Sequence, residues 1–375
     1  MSLQNEIDLG AKRIHTDGYA LSIGELMSLY KDKEIDIQPE FQRFFRWSPD
    51  QKTKLIESIL LGIPIPPIFV SQREDGVWDV IDGLQRLSTI LEFAGLLRDT
   101  NNELKPASSL NGTKYLPSLE GKYWQNDDNP ELSFDQVQRL IVKRSKLGIQ
   151  IIKKESDKDT KYELFQRLNT GGTALTEQEV RNCILVMINK DFYKWLSRLS
   201  QDENFKATIP LTDKALEEQY DVELALRFFV YKSISATDVN TTKDIGKLLT
   251  DKMIEFAESD EFNLDTEESN FKTAFLLLNN SFGEDVFRKW EPLKNKFSGP
   301  FSIAAFEVIA SGLAKHLGSY CDENESIEQL KNKIKSVSIH KTFTENSGSG
   351  KRASTRLPHF LPLGEQIFSN ENKNL

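Results

Sequence analysis

The chain has 375 residues, 38% of them hydrophobic and 28% charged, with a formal net charge of -9 at pH 7. Its length exceeds one ordinary core, and its composition is that of a folded soluble protein rather than a disordered one. The acidic balance excludes a surface devoted to non-specific nucleic-acid binding, though not a local basic groove, and two distant cysteines, Cys183 and Cys321, exclude a disulfide framework or a zinc knuckle.

Residues 1–10 lack the basic-then-apolar pattern of a signal peptide, and no apolar run approaches the roughly 20 residues a spanning helix needs. A cytoplasmic protein with no membrane contact is expected. Residues 19–29 combine a Ser22 cap with helical apolar spacing and predict a short helix. Ile35-Asp36-Ile37 alternates like an edge strand and leads into Gln38-Pro39-Glu40-Phe41-Gln42-Arg43-Phe44-Phe45-Arg46-Trp47, where two arginines interleave with four aromatics. One reading is an aromatic cluster with arginines stacked on its rim. The other points Gln42 and Arg43 into a site shared with the turn at residues 80–89.

Ser48-Pro49-Asp50-Gln51 is a helix start: serine caps, proline suits the first helical position, and glutamine at N3 completes a capping box. The helix places Leu55, Ile56, Ile59 and Leu60 on one face and stops at Gly62. Ile63-Pro64-Ile65-Pro66-Pro67 forces an extended approach to a strand at 68–70, and Arg73-Glu74-Asp75-Gly76 turns the chain into a second strand at 77–81. That strand meets Gly83 and opens into an amphipathic segment with Leu87, Ile90, Leu91 and Ala94 at helical spacing. Such a junction aims backbone N–H groups and a partial positive charge at an anion, phosphate above all. Asp82, Gln85, Arg86, Ser88 and Thr89 put a carboxylate, an amide, a guanidinium and two hydroxyls in the same stretch, which marks it as the chemical centre.

Residues 99–133 are polar and rich in Asn, Asp, Pro and Gly, and read as a long insertion or pair of loops: a lid, a disordered segment or surface decoration. A strand pattern returns at 147–152 and a helix at 157–168. Asn169-Thr170-Gly171-Gly172 then breaks that helix before Thr176 and Glu179 cap the next. The glycines serve the break alone, or their N–H groups, with Asn169, Thr170 and Arg181, line a second wall of an anion site. From about Glu179 onward long helical patterns follow, at 222–231, 245–256, 271–278, 301–317 and 327–337, with the texture of bundle core. Residues 347–356 interrupt them as a flexible basic loop. It is a solvated loop, or a phosphate or nucleic-acid contact through Lys351, Arg352 and Arg356. The four histidines show no metal-ligand spacing, and neither a Walker A frame nor a Gly-x-Ser-x-Gly elbow occurs.

Four stretches in this order, Phe41 to Trp47, Ser58 to Pro67, Asp82 to Thr89 and Leu168 to Asn182, resemble the GmrSD-type N-terminal domain family, whose core looks like the ParB and sulfiredoxin fold. The family's Asp-Gly-Gln-Gln-Arg signature corresponds to Asp82-Gly83-Leu84-Gln85-Arg86, with Leu84 in place of the first glutamine. The resemblance implies an α+β protein: a small ParB/sulfiredoxin-like mixed α/β nucleotide-binding domain over residues 1–180, with the polar insertion near 99–133, then a mostly α-helical domain over 181–375. It also implies nucleotide binding and hydrolysis in bacterial defence against phage DNA, often alongside a nuclease domain of the His-Asn-His type, which this sequence does not display. The expected protein is therefore a nucleoside triphosphate phosphohydrolase that regulates a restriction-type system, with a separate nuclease chain and DNA as candidate partners.

On this reading Asp82, Gln85 and Arg86 are catalytic: Asp82 holds a divalent cation, Mg2+ by preference, or orients a water that Gln85 positions, and Arg86 and Arg43 lie on phosphate oxygens. Gln42, Arg43, Gly83, Ser88, Thr89, Asn169, Gly171, Gly172 and Arg181 form the nucleotide site; the metal and its ligands are not specified by any motif. Two rivals stand beside it. One is a nucleotide- or DNA-sensing module without turnover that switches a partner nuclease. The other is a purely structural Asp82–Arg86 ion pair that pins the turn.

Overall fold

The computed structural model describes residues 2–5, 15–37, 47–99, 101–155, 176–241, 244–320, 325–348 and 350–369. The chain divides into two units, Met1–Leu175 and Thr176–Leu375. In the first, chain order is β1 (Thr16–Ser22), α1 (Ile23–Lys31), β2 (Ile35–Asp36), α2 (Pro49–Leu61), β3 (Ile68–Gln72), β4 (Trp78–Asp82), α3 (Leu84–Phe93), α4 (Gln136–Arg144) and β5 (Lys146–Ile152). The five strands form one mixed sheet in the order β1-β5-β3-β4-β2. β1 and β5 pair antiparallel, as do β3 and β4, whereas β5 with β3 and β4 with β2 run parallel. A mixed α/β unit followed by a helical one is the α+β architecture expected.

Local chemistry explains most of the helix boundaries. Ser48 Oγ accepts from Gln51 N while the Gln51 side chain accepts from Ser48 N, and α2 ends on Gly62 in the left-handed region. Residues 19–22 depart from the helix expected there. Tyr19, Ala20 and Leu21 pair with Ile149, Gly148 and Leu147, so the strand runs up to Ser22, which then caps α1 through its bond from Glu25 N. Cross-strand pairing overrides the local apolar spacing. The core buries Ile68, Val70 and Ile149 from the central strands beneath Ile56, Leu87 and Leu91 from α2 and α3.

Residues 101–133 are fastened to this core. Leu110, Leu119 and Phe134 are buried in it, and Phe93 sits edge-on to both Trp124 and Phe134, with ring centroids 5.8 and 5.0 Å apart. Asn111 N donates to Thr53 Oγ1 at 3.0 Å, and the Thr113 hydroxyl bonds Glu57. The helix expected at 157–168 lies outside the described residues.

The second unit is helical: α5 (Glu177–Ile188), α6 (Lys190–Leu199), α7 (Glu203–Thr208), α8 (Asp213–Glu217), α9 (Tyr220–Ser233), α10 (Ala236–Thr241), α11 (Ile245–Glu258), α12 (Leu264–Phe282), α13 (Ile303–Lys315), α14 (Glu325–Val337), α15 (Lys341–Asn346) and α16 (Ala353–Phe368). Between α12 and α13 lies a small hairpin, β6 (Lys289–Glu291) and β7 (Lys296–Ser298). Its core is aromatic, with Phe205, Phe228, Phe229, Phe271 and Phe275 in mutual ring contact. Of the flexible stretch expected at 347–356, residues 353–356 instead form the first turn of α16. Among the described residues no helix is long and apolar enough to cross a membrane.

Candidate functional site

β4 ends on Asp82, and Gly83 is the N-cap of α3 at φ 91 and ψ 12. Only glycine fits that position. The φ is left-handed, and a Cβ there would lie 2.9 Å from Cγ1 of the fully buried Ile68. Gly83 supplies no side-chain cap, so the first-turn N–H groups of α3 receive no capping bond from it.

Arg86 turns back onto the turn it follows. Its Nη2 donates to Asp82 Oδ2 at 2.7 Å, and its Nη1 donates to the carbonyl oxygens of Pro66 and Pro67 at 2.5 and 3.0 Å. The extended Ile63–Pro67 run is thus pinned to the turn through its carbonyls. The Arg86 side chain keeps only 12% of its exposure, against 28% for Asp82. Among the described residues Asp82 Oδ1 makes no hydrogen bond. Gln85 accepts at Oε1 from the backbone N–H of Trp47 at 3.3 Å, which brings the end of the aromatic and arginine-rich stretch to the turn. Ser88 and Thr89 are buried residues of α3 itself, where Thr89 Oγ1 donates to Gln85 O one turn back at 2.7 Å and Ser88 Oγ has no partner among the described residues.

Gln42, Arg43, Asn169, Gly171 and Gly172 lie outside the described residues. Arg181 is buried within the helical unit, donating to Gln178 Oε1 at 2.8 Å and to Glu223 Oε2 at 2.5 Å. Burial pulls its guanidinium below the ordinary arginine range. Arg356 grips the fully buried Glu307 with two bonds of 2.6 and 2.8 Å, and its Nη1 donates to the Lys351 carbonyl at 2.8 Å. Arg227 joins Glu223 to this network and bonds Tyr231. Reading by residue type pointed Arg181 and Arg356 towards a ligand; their buried glutamate partners, forty-two and forty-nine residues away, carry no local sequence signal. Lys351 and Arg352 remain exposed.

The class defined so far is a mixed α/β domain with an uncapped helix N-terminus at a strand end, followed by a helical unit. Residues 23–186 match the family model of the GmrSD restriction endonuclease, N-terminal domain. All four motif stretches that carried the resemblance fall inside these matched residues. No curated protein and no solved structure matches the chain.

Proposed function

We propose that Asp82 and the N-terminus of α3 hold the phosphates of a nucleoside triphosphate, and that the chain hydrolyses it as the regulatory component of a restriction-type, anti-phage DNA defence system in the cytoplasm. One observation carries this reading: a helix start without a side-chain cap opens beside a partly exposed carboxylate that has one oxygen tied to Arg86. The first-turn N–H groups of a helix left without a side-chain cap receive phosphate oxygens, and the helix dipole adds attraction. Arg86 acts here as a positioning residue, locking the Asp82 rotamer. To Gln85, whose Oε1 accepts from the Trp47 N–H, this reading assigns the orienting of a water.

A divalent cation fits this donor set. Among the described residues no cluster of three ligating side chains exists, but Mg2+ takes one or two carboxylates and completes its shell with phosphates and water. When bound it would offset the phosphate charge, with Asp82 as its protein ligand. A separate nuclease chain, acting on DNA, is the partner such a component needs.

The engagement of Arg86 with Asp82 favours a second reading, a ligand-gated switch without turnover, in which the anion competes for the guanidinium. One screen tests both. ATP, GTP, CTP, UTP and their deoxy forms are scored for thermal stabilisation and phosphate release, with and without Mg2+ and DNA, on wild type, Asp82→Ala and the gentler Asp82→Asn. Hydrolysis predicts release by wild type and none by either folded variant. Saturable binding with no release under any condition supports the switch instead. Unchanged release from folded Asp82→Ala would sink the assignment.

A further inference from the structure

At the other end of α3, about 15 Å from the turn at 1.5 Å per residue over its 10 residues, the first unit contains a cavity of about 600 Å3. It sits beside the short β2 strand, and that volume lies within the roughly 300–1,000 Å3 of small-molecule sites. Its walls are Tyr30, Ile35, Ile37 and Leu96; its rim carries Lys31, Lys33 and Arg98 together with Asp99, and Arg98 Nη1 donates to the Asn102 carbonyl at 2.7 Å.

The rim is built against local preference. α1 ends in a Schellman turn, with Glu34 N bonded to Leu29 O at 2.8 Å and Lys33 N to Tyr30 O at 3.2 Å. The left-handed position of that motif favours glycine, yet it holds Lys33 at φ 61. Asn102, on the same rim, has φ 64, a conformation asparagine adopts readily, so Lys33 is the departure at this rim. Departures from local rules concentrate where function needs a particular side chain. Neither Lys31 nor Lys33 forms an ion pair among the described residues, and both are exposed. On the floor, Arg73 donates to Asp36 Oδ2 at 2.6 Å and to Asp79 Oδ2 at 2.7 Å, which fixes the Asp36 carboxylate at the cavity wall.

We infer that this cavity is a second ligand site, separate from the turn at Asp82, that binds a nucleoside monophosphate. The aromatic and aliphatic walls take the base, the Asp36 carboxylate accepts from a ribose hydroxyl or exocyclic amine, and the three rim cations face the phosphate.

The test is calorimetric titration of the full chain with AMP, GMP, CMP and UMP, beside inorganic phosphate and a short single-stranded oligodeoxynucleotide. At least one monophosphate should bind with saturation. Lys33→Gly and Lys31→Glu should each weaken it about tenfold, the loss of one charge-assisted contact, while Asp82→Asn leaves it unchanged. Lys33→Gly should melt no lower than wild type, because glycine suits that backbone, so its loss of binding would not be misfolding. The inference is overturned if no monophosphate binds at millimolar concentration, if both lysine variants bind as wild type does, or if inorganic phosphate or the oligonucleotide binds as tightly as the best monophosphate. Because monophosphates have no γ-phosphate and Asp82→Asn keeps this site, the outcome is independent of hydrolysis at the turn.

Discussion

Arg86 is the residue on which the turn depends. Replacing it with alanine leaves two prolyl carbonyls and the Asp82 carboxylate without their shared donor, and should lower stability by about 2 kcal/mol in urea denaturation. The motif order that singled out Asp82, Gln85 and Arg86 was legible because it is contiguous. The partners of Arg86 were not, since Pro66 and Pro67 lie twenty and nineteen residues upstream and are recognised by position alone. Asp221 offers a pH test in the helical unit. Burial raises its carboxyl above the ordinary aspartate range, and one of its oxygens, Oδ1, is buried without a partner. A raised folded value means that the native state holds the proton more tightly, so this group destabilises above its folded value, and the penalty fades as pH falls through it towards the unfolded one. Asp221→Asn should therefore raise the melting temperature at pH 7, with a gain that shrinks steadily in melts at lower pH.

Elements bounded by their own side chains were the readable ones. α2 and α5 carry complete capping boxes at Ser48 and Thr176, and Ser48→Ala should cost about 1 kcal/mol in chemical denaturation. Gly83 is the sharper case. Alanine there must hold a left-handed φ and push into buried Ile68, so Gly83→Ala should destabilise by about 2 kcal/mol in the same assay. Elements decided by distant partners were hidden. β1 exists because β5 pairs with it, and α16 was obscured by Pro358 and Pro362, which lie inside the helix and read locally as breakers.

Across the whole molecule, the texture of the sequence shifts from alternating to helical near residue 179, whereas the tertiary devices inside each unit left no periodic trace. α13 and α16 meet at Gly312 and Gly364, where a Cβ on Gly364 would lie 2.6 Å from the Val308 carbonyl. Gly364→Ala should force these helices apart and strip hydrogen-exchange protection from both, which mass spectrometry of their peptides would record. The segment at 101–133 carries a consequence for proteolysis. Its composition invites a protease, and a cut between its anchors would open exposed backbone. Leu110 and Leu119 on one side and Phe134 on the other are embedded in a common core, so the nicked chain should run as two bands on a denaturing gel yet elute as one species under native conditions. Such a nick would divide the covalent chain while leaving the domain a single folding unit.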